Sequence, residues 1–514
     1  MKKKIKLITL NPNNLHNTST YLLKAYAEKN EIIREKCEIE LQFFDAIYPV
    51  QSNAEELYLQ QIMDNNPEVI GFSTYCWNID ITLRLIKKLK LLLPTTVIFL
   101  GGPEATGQKK LLMQQKEEID YIISGEGEIS FEKFLLFLVG EINDIEEVSN
   151  LVWRKNTSII ENKYEYIENL DEIPMIYSER IADPNLIGGA LYSFETKRGC
   201  EYNCTYCLHH KGFHNIREFS LEYVFRELDI LFSSNLKYIW IIDPCFNENE
   251  ERSIKILDYI NEHNYKNIEF GFEIRNETMS IKFIKKICSM KCIRFIAVGL
   301  QTLSEKSLDA VNRRLNERKF EENIAYLKKY SRNLTIHVDL IYGLPLQTLA
   351  EYKESIDYVL ELECEIFSQP LKVLPGAELS KQIYRYGIEY DINAPYTVIQ
   401  TKHFRYEDMH NAFLINGILN VFQSNSMIQE ALREVKKREN INYSALFQQI
   451  GEYIWEKGYV EIFANYYKIS YTKLVNVLCE AVKNLYNGKF VCETKNEELV
   501  QLDWGSIAMQ IELI

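Results

Sequence analysis

The sequence has little that would send it into a membrane, onto a nucleic acid or into an oxidising compartment. No uncharged apolar stretch reaches the roughly 18–20 residues of a bilayer span. Positive charge is the minority sign: 59 Lys and Arg stand against 73 Asp and Glu, a formal net charge of −14. That balance argues against general nucleic-acid binding, which shows a basic excess, and leaves only a local basic patch open. The 11 cysteines are odd in number and irregularly spaced. No disulfide framework is implied, and reduced thiols in a cytoplasmic chain are expected. In "MKKKIKLITLNPNN" the apolar run ends after about six residues, short of the roughly 7–15 of a secretory core, so it is expected to be a first β-strand. No short internal repeat is visible.

What is present is an ordinary globular composition, 46% hydrophobic and 26% charged over 514 residues, which excludes wholesale disorder and predicts several domains. Residues 1–140 alternate strand and helix. "IKLITL" (Ile5–Leu10), "VIGFST" (Val69–Thr74), "VIFLGG" (Val97–Gly102) and "DYIISGEGE" (Asp120–Glu128) are apolar runs that break into polar or Gly-rich loops. This pattern predicts a doubly wound parallel α/β sheet, with ligands beyond the carboxyl ends of its strands. Those ends carry Asn11–Asn17, Ser73–Asn78, Gly101–Glu104 and Gly125–Glu128. Residues 141–188 read as a connector containing a short hairpin. A second βα series follows at 189–381, with strands expected in "LYSFET", "YIWIID", "IEFGFEI", "RFIAVGL", "LTIHVDLIY" and "EIFSQPLKVL". Six units predict a partial barrel rather than a full eight-fold one. Residues 382–514 have 3.6-residue periodicity and read as a helical domain.

The first barrel strand leads into "KRGCEYNCTYCLHH" (Lys197–His210), with Cys200-x3-Cys204-x2-Cys207. Thiolates are soft ligands suited to iron–sulfur clusters or zinc. Three of them can hold a cubane and leave its fourth iron open. The alternatives are a zinc site completed by His209, His210 or His214, and unrelated core cysteines.

Cys-x3-Cys-x-aromatic-Cys after a first barrel strand resembles the radical S-adenosylmethionine (SAM) superfamily. The resemblance implies a [4Fe-4S] cluster on Cys200, Cys204 and Cys207 whose open iron chelates SAM. Tyr206 would then lie against the cluster or its ligand. By the same resemblance "IIDPCFN" supplies Asp243 and Asn247 near the SAM amino group. "FEIRNE" places Glu273 and Arg275 on one side of the third strand's end, suited to ribose hydroxyls and a carboxylate. "VGLQT" puts Gln301 at the fourth strand's end, and "DLIYGLPLQT" brings backbone at Gly343 and Leu344 toward adenine. Leu346-Gln347 stands where Gly-Glu is common. "KVLPGAEL" matches the usual sixth-strand ending.

A doubly wound domain ahead of such a barrel resembles the cobalamin-binding class of this superfamily. "NLHNTS", "GFSTYCWN" and "LGGPE" stand at the places of its cobalamin fingerprint, with Asn in place of the usual Asp before His16. The resemblance implies cobalamin contacts from His16, Ser73, Trp77, Asn78, Gly101, Gly102 and Glu126, with His16 either ligating cobalt or only lining the loop. Trp77 and Asn78 are the alternative lower face. The expected fold is thus a cobalamin-binding Rossmann-like sheet, a partial (β/α)6 radical SAM barrel and a helical C-terminal domain. The expected activity is reductive cleavage of SAM to a 5′-deoxyadenosyl radical, used for C-methylation of a small molecule or peptide. Cobalamin-dependent rearrangement or cyclisation, methylthiotransferase-like chemistry, and a non-enzymatic zinc or cobalamin sensor are the alternatives. An external electron donor of flavodoxin or ferredoxin type and oxygen sensitivity follow from the cluster. Only Cys37 and Cys76 precede residue 190, too few for the second three-cysteine cluster of methylthiotransferases.

Overall fold

β1 (Lys3–Asn11) is buried on both faces from Ile5 onward, as a strand covered by helices on either side must be. The computed structural model describes residues 2–11, 17–46, 54–184, 192–209, 215–331, 333–466 and 469–486. β1 pairs in parallel with β2 (Cys37–Asp45) on one side and β3 (Val69–Ser73) on the other. β4 (Val97–Gly101) and β5 (Tyr121–Ile123) continue in parallel. β6 (Leu151–Lys155) and β7 (Ser158–Glu161) close the sheet as an antiparallel hairpin, in the order β2-β1-β3-β4-β5-β6-β7. The segment read as a connector therefore contributes two strands to the front sheet, because Leu151 and Val152 are fully buried against it. Strand order reverses between β1 and β3, so a ligand crevice opens at their carboxyl ends.

β8 (Tyr192–Phe194) begins the second sheet. β9 (Lys197–Arg198) and β10 (Arg217–Glu218) form a two-stranded ribbon at the two ends of the cysteine segment. β11 (Tyr238–Ile241), β12 (Glu269–Ile274), β13 (Ile293–Gln301), β14 (Thr335–Tyr342) and β15 (Glu365–Pro370) follow, all parallel, in the order β15-β14-β13-β12-β11-β8. Helices between them carry apolar stripes into one continuous core. The helix Ile281–Ser289, for example, buries Phe283, Ile284 and Ile287 at helical spacing. A smaller cluster, Trp240, Phe295 and Ala297, fills the inner face of the sheet. β16 (Glu389–Tyr390) and β17 (Val398–Gln400) make a short hairpin. The helices Tyr406–Gln423, Ser426–Glu439, Tyr443–Glu456 and Tyr471–Tyr486 then share the barrel's core through residues such as Ile415, Ile418 and Phe447. Among the described residues no helix is long and apolar enough to cross a membrane.

Candidate active site between two strand-end faces

The cysteine loop opens at Gly199, whose φ of +91° is left-handed and where a side chain would lie 3.1 Å from Asn215 O. The loop is fastened to the barrel at several points. Lys197 pairs with Glu248, both buried, and Glu248 accepts the Glu201 N–H at 2.7 Å. Thr205 N–H donates to Val311 O at 3.1 Å, and Leu379 N–H donates to Thr205 O at 2.8 Å. Burial pushes the Cys200 thiol up to about 11 and the Cys207 thiol up to about 12. The charge of Cys204 adds to both rises, so the three sulfurs feel one another. Arg313 Nη1 lies 4.0 Å from Cys204 Sγ. Tyr206 packs against the barrel core, its phenol raised by burial and then by Cys204. Among the described residues no three His, Cys, Asp or Glu side chains converge closely enough to grip a single metal ion. His209 is exposed, and His210 and His214 lie outside the described residues.

Beside this loop the barrel mouth collects polar groups. β13 ends on a bulge between Gly299 and Gln301, and Gln301 takes φ +70°. Such strain recurs where a strand end re-aims a side chain. A side chain on Gly299 would meet Gln301 Nε2 at 2.6 Å and Arg313 Nη2 at 3.0 Å, so this glycine makes room for both. Arg313 also donates to Gly299 O. Burial, then the charge of Asp339, pushes the Glu273 carboxyl up to about 8. Burial pushes Asp339 up to about 7 against the pull of Arg313. Asp339 Oδ1 is buried with no hydrogen-bond partner among the described residues. Glu273 also acts on Cys207, which brings cluster loop and carboxylates into one space.

Several residues expected at this mouth have other work. The Arg275 guanidinium donates to Glu277 at 2.8 Å and to Arg314 O at 2.6 Å, and lies 4.0 Å from the Tyr202 ring centre. It is therefore not free to fork onto a ligand carboxylate. Asp243 is buried and accepts the N–H groups of Thr196 at 2.7 Å and Lys197 at 3.2 Å, which braces the chain entering the cysteine loop. Asn247 exchanges hydrogen bonds with the Arg275 backbone, at 2.8 and 3.0 Å. Gly343 (φ +81°) faces Met409, whose sulfur would lie 2.9 Å from a side chain there. Leu344 is buried and its N–H donates to Gln347 Oε1 at 3.1 Å.

On the front domain, Ser73 ends β3 and its hydroxyl lies 3.3 Å from that of Ser19. Trp77 stacks on Tyr75, ring centres 4.3 Å apart. Asn78 is fully buried; it accepts the Tyr75 N–H at 2.8 Å and donates to Leu10 O and Ser73 O at 3.0 Å each. That ties the ends of β1 and β3 together and leaves Asn78 no face for a ligand. Gly101 O accepts the Thr74 N–H at 2.8 Å. Gly102 (φ +96°) sits so close to Thr74 that a side chain would lie 2.5 Å from its carbonyl oxygen. Glu126 is held by Arg217, with Arg198 at 3.4 Å, so it joins the domains rather than offering a carboxylate to a cofactor. His16 lies outside the described residues.

The two strand-end faces meet. Cys76 and Trp77 pack with Leu374, Ala377 and Tyr396 from beyond β15 and with Leu208 of the cysteine loop. Tyr396 donates to the buried Glu104, and Gly107 passes Pro375 with no room for a side chain.

Residues 15–135 match the B12 binding domain, and residues 194–359 match the Radical SAM superfamily. The chain thus joins a B12 binding domain to a radical SAM domain. Residues 384–506 match a family described as a protein of unknown function (DUF4080). The "Cobalamin-dependent radical SAM methyltransferase TokK" of Streptomyces tokunonensis is 23% identical over 388 residues. That match covers 71% of this chain and 55% of TokK, so the chain spans little more than half of that relative's length. The structure of the cobalamin-dependent SAM radical enzyme OxsB with aqua-cobalamin and SAM bound superposes with a TM-score of 0.67, at 15% identity over 95% of this chain and 79% of that one. The radical SAM methyltransferase TsrM from Kitasatospora setae, with cobalamin and a [4Fe-4S] cluster, gives 0.59 at 14% identity, covering 75% of each chain.

The two domains imply a [4Fe-4S] cluster, SAM and cobalamin, and this chain has residues that fit them. Three mutually coupled thiols, each on its own stretch of a fastened loop, suit a cluster whose corners are further apart than the ligands of one ion. The orphaned Asp339 Oδ1 is an acceptor waiting for a donor. In the front domain Gly101 leaves open space, since a side chain there would meet only Ile123 O, at 3.8 Å. Sequence reasoning missed Arg313 and Asp339. The only signal was the run "NRR" after the fourth-strand helix and the Asp that opens "DLIYGLP".

Proposed function

We propose that this protein is a cobalamin-dependent radical SAM methyltransferase that methylates an unactivated carbon of a small molecule or peptide. When bound, the cluster and cobalamin supply the electron that cleaves SAM to a 5′-deoxyadenosyl radical and the carrier for a methyl group. The observation that carries this reading is the facing of the two strand ends, where Cys76 of the front domain clusters with Leu374, Ala377 and Tyr396 and both Trp77 and Leu208 of the cysteine loop pack against that cluster. Chemistry begun at one face can be completed at the other within a single enclosed space.

The chain's own residues divide the binding task. Cys200, Cys204 and Cys207 hold the cluster as thiolates, releasing their protons as metal binds. Arg313 orients the SAM carboxylate by its fork of donors. Glu273 and Asp339 receive the SAM ammonium and ribose hydroxyls, and Gln301 adds an amide beside them. Ser73, Trp77, Gly101 and Gly102 form the floor against cobalamin. The apolar packing around Leu374 and Tyr396 keeps water from the radical. The methylthiotransferase alternative has less support, because Cys37 lies on β2, away from the cleft that Cys76 enters. Electrons come from a flavodoxin- or ferredoxin-type donor. Anaerobic assay with labelled SAM tests the reading: 5′-deoxyadenosine and a methylated product are expected together, and deoxyadenosine with a rearranged, unmethylated product would replace it with the rearrangement alternative.

A further inference from the structure

Lys372 stands two residues beyond β15, at the carboxyl end of the sixth barrel strand, where barrel enzymes gather their working groups. Its side chain is largely enclosed, and Cys76 of the front domain is the charged or ionisable group that faces it. Among the described residues its ammonium has one acceptor, Gln369 Oε1 at 3.0 Å. The other enclosed cations of this region all sit beside carboxylates. Lys197 has Glu248, Arg198 has Glu128 and Glu195, Arg217 has Glu126, and Arg275 has Glu277. Arg313 lies in the field of Asp339 and Glu277. The Cys76 thiol is no counter-ion for Lys372, because burial pushes it up to about 12 and keeps it neutral. Glu104, the next carboxyl along, is engaged by Tyr396 and Gln108.

An enclosed ammonium without an anion is costly unless something supplies the charge. We infer that Lys372 and Gln369 form a subsite for an anionic oxygen group, a carboxylate or a phosphate, of a ligand held between the two domains. The ammonium has two further donors to give, and the Gln369 amide nitrogen adds a neutral one alongside. This deepens the proposed function and rests on it, since the ligand is either the methyl acceptor or the phosphate of cobalamin's own nucleotide arm. Burial holds the Lys372 ammonium below the ordinary lysine value, and an arriving anion reverses that shift.

Amine labelling of the reconstituted full-length protein, read by peptide mass spectrometry at constant ionic strength, tests the subsite. Inorganic phosphate and acetate are the probes, and exposed Lys381 is the internal reference. A rise of about one pKa unit on anion binding slows labelling roughly tenfold. Saturable, Lys372-specific slowing by either probe in cobalamin-loaded protein assigns the subsite to an acidic substrate. Slowing in cobalamin-loaded but not cobinamide-loaded protein, which lacks the nucleotide phosphate, assigns it to the corrinoid. Equal labelling in every arm overturns the subsite. The response of the cluster's absorption to SAM, measured in the same samples, reports separately on the radical SAM reading.

Discussion

Cys200, Cys204 and Cys207 feel one another and stand together on a loop pinned at Thr205 and Glu201. Changing any one to Ala is expected to abolish cluster assembly and 5′-deoxyadenosine formation, read as iron content and by chromatography of the anaerobic reaction. Retained deoxyadenosine in one variant would remove that cysteine from the ligand set. Arg313 is the second residue of consequence. Arg313→Lys keeps the charge but loses the planar fork, so SAM binding should weaken by about tenfold or more while the iron content stays intact. Unchanged SAM affinity by calorimetry would send the carboxylate elsewhere. Asp339→Asn isolates the neighbouring carboxyls: removing its charge should bring Glu273 down from about 8, visible in a pH titration of SAM affinity.

At the scale of elements, two further contacts hold the front domain on the barrel. The helix Pro103–Gln115 runs against the loop after β15, and a side chain at Gly107 would lie 2.2 Å from Pro375 O. Gly107→Leu is expected to cost about 1–3 kcal/mol and to lower both the melting temperature and cobalamin affinity. A variant with unchanged melting and affinity would show that this contact is not needed. The second contact is the buried knot in which Arg198 meets Glu128 at 2.8 Å and Glu195 at 3.1 Å, beside Glu126 and Arg217. Burial, against the pull of Arg198, raises Glu195 to about 7 from an ordinary 4.5. The folded protein then holds that proton more tightly than the unfolded chain. Stability from this group is present below about pH 4.5 and is lost as pH rises through about 7, on the order of 3 kcal/mol. Glu195→Gln should flatten that loss in melts taken between pH 5 and 8. An identical slope in both proteins would contradict the assignment. The strands of this molecule were largely legible in sequence, because parallel strands covered on both faces read as unbroken β-branched runs. β2 was not singled out, since Glu38 and Glu40 alternate with apolar residues at the sheet's edge. Nor could the hairpin's membership of the front sheet be read, because antiparallel pairing to Tyr121–Ile123 is a tertiary choice.

Across the whole molecule, local motifs were readable and assembled ones were not. The three cysteines lie within eight positions and carry their chemistry in their spacing. The polar mouth draws Glu273, Gln301, Arg313 and Asp339 from three strands and a loop, and only folding brings them together. Residues chosen by motif position alone, Arg275, Asn78 and Glu126, turned out to have protein partners of their own. The same facing of strand ends explains why the front domain's Cys76 loop and the barrel's Lys372 lie together. The most direct measurement is electron paramagnetic resonance of the anaerobically reconstituted, reduced protein before and after SAM is added. A four-iron signal whose shape changes on SAM addition is expected. Bound zinc with no iron signal, or an iron signal indifferent to SAM, would contradict the radical SAM reading.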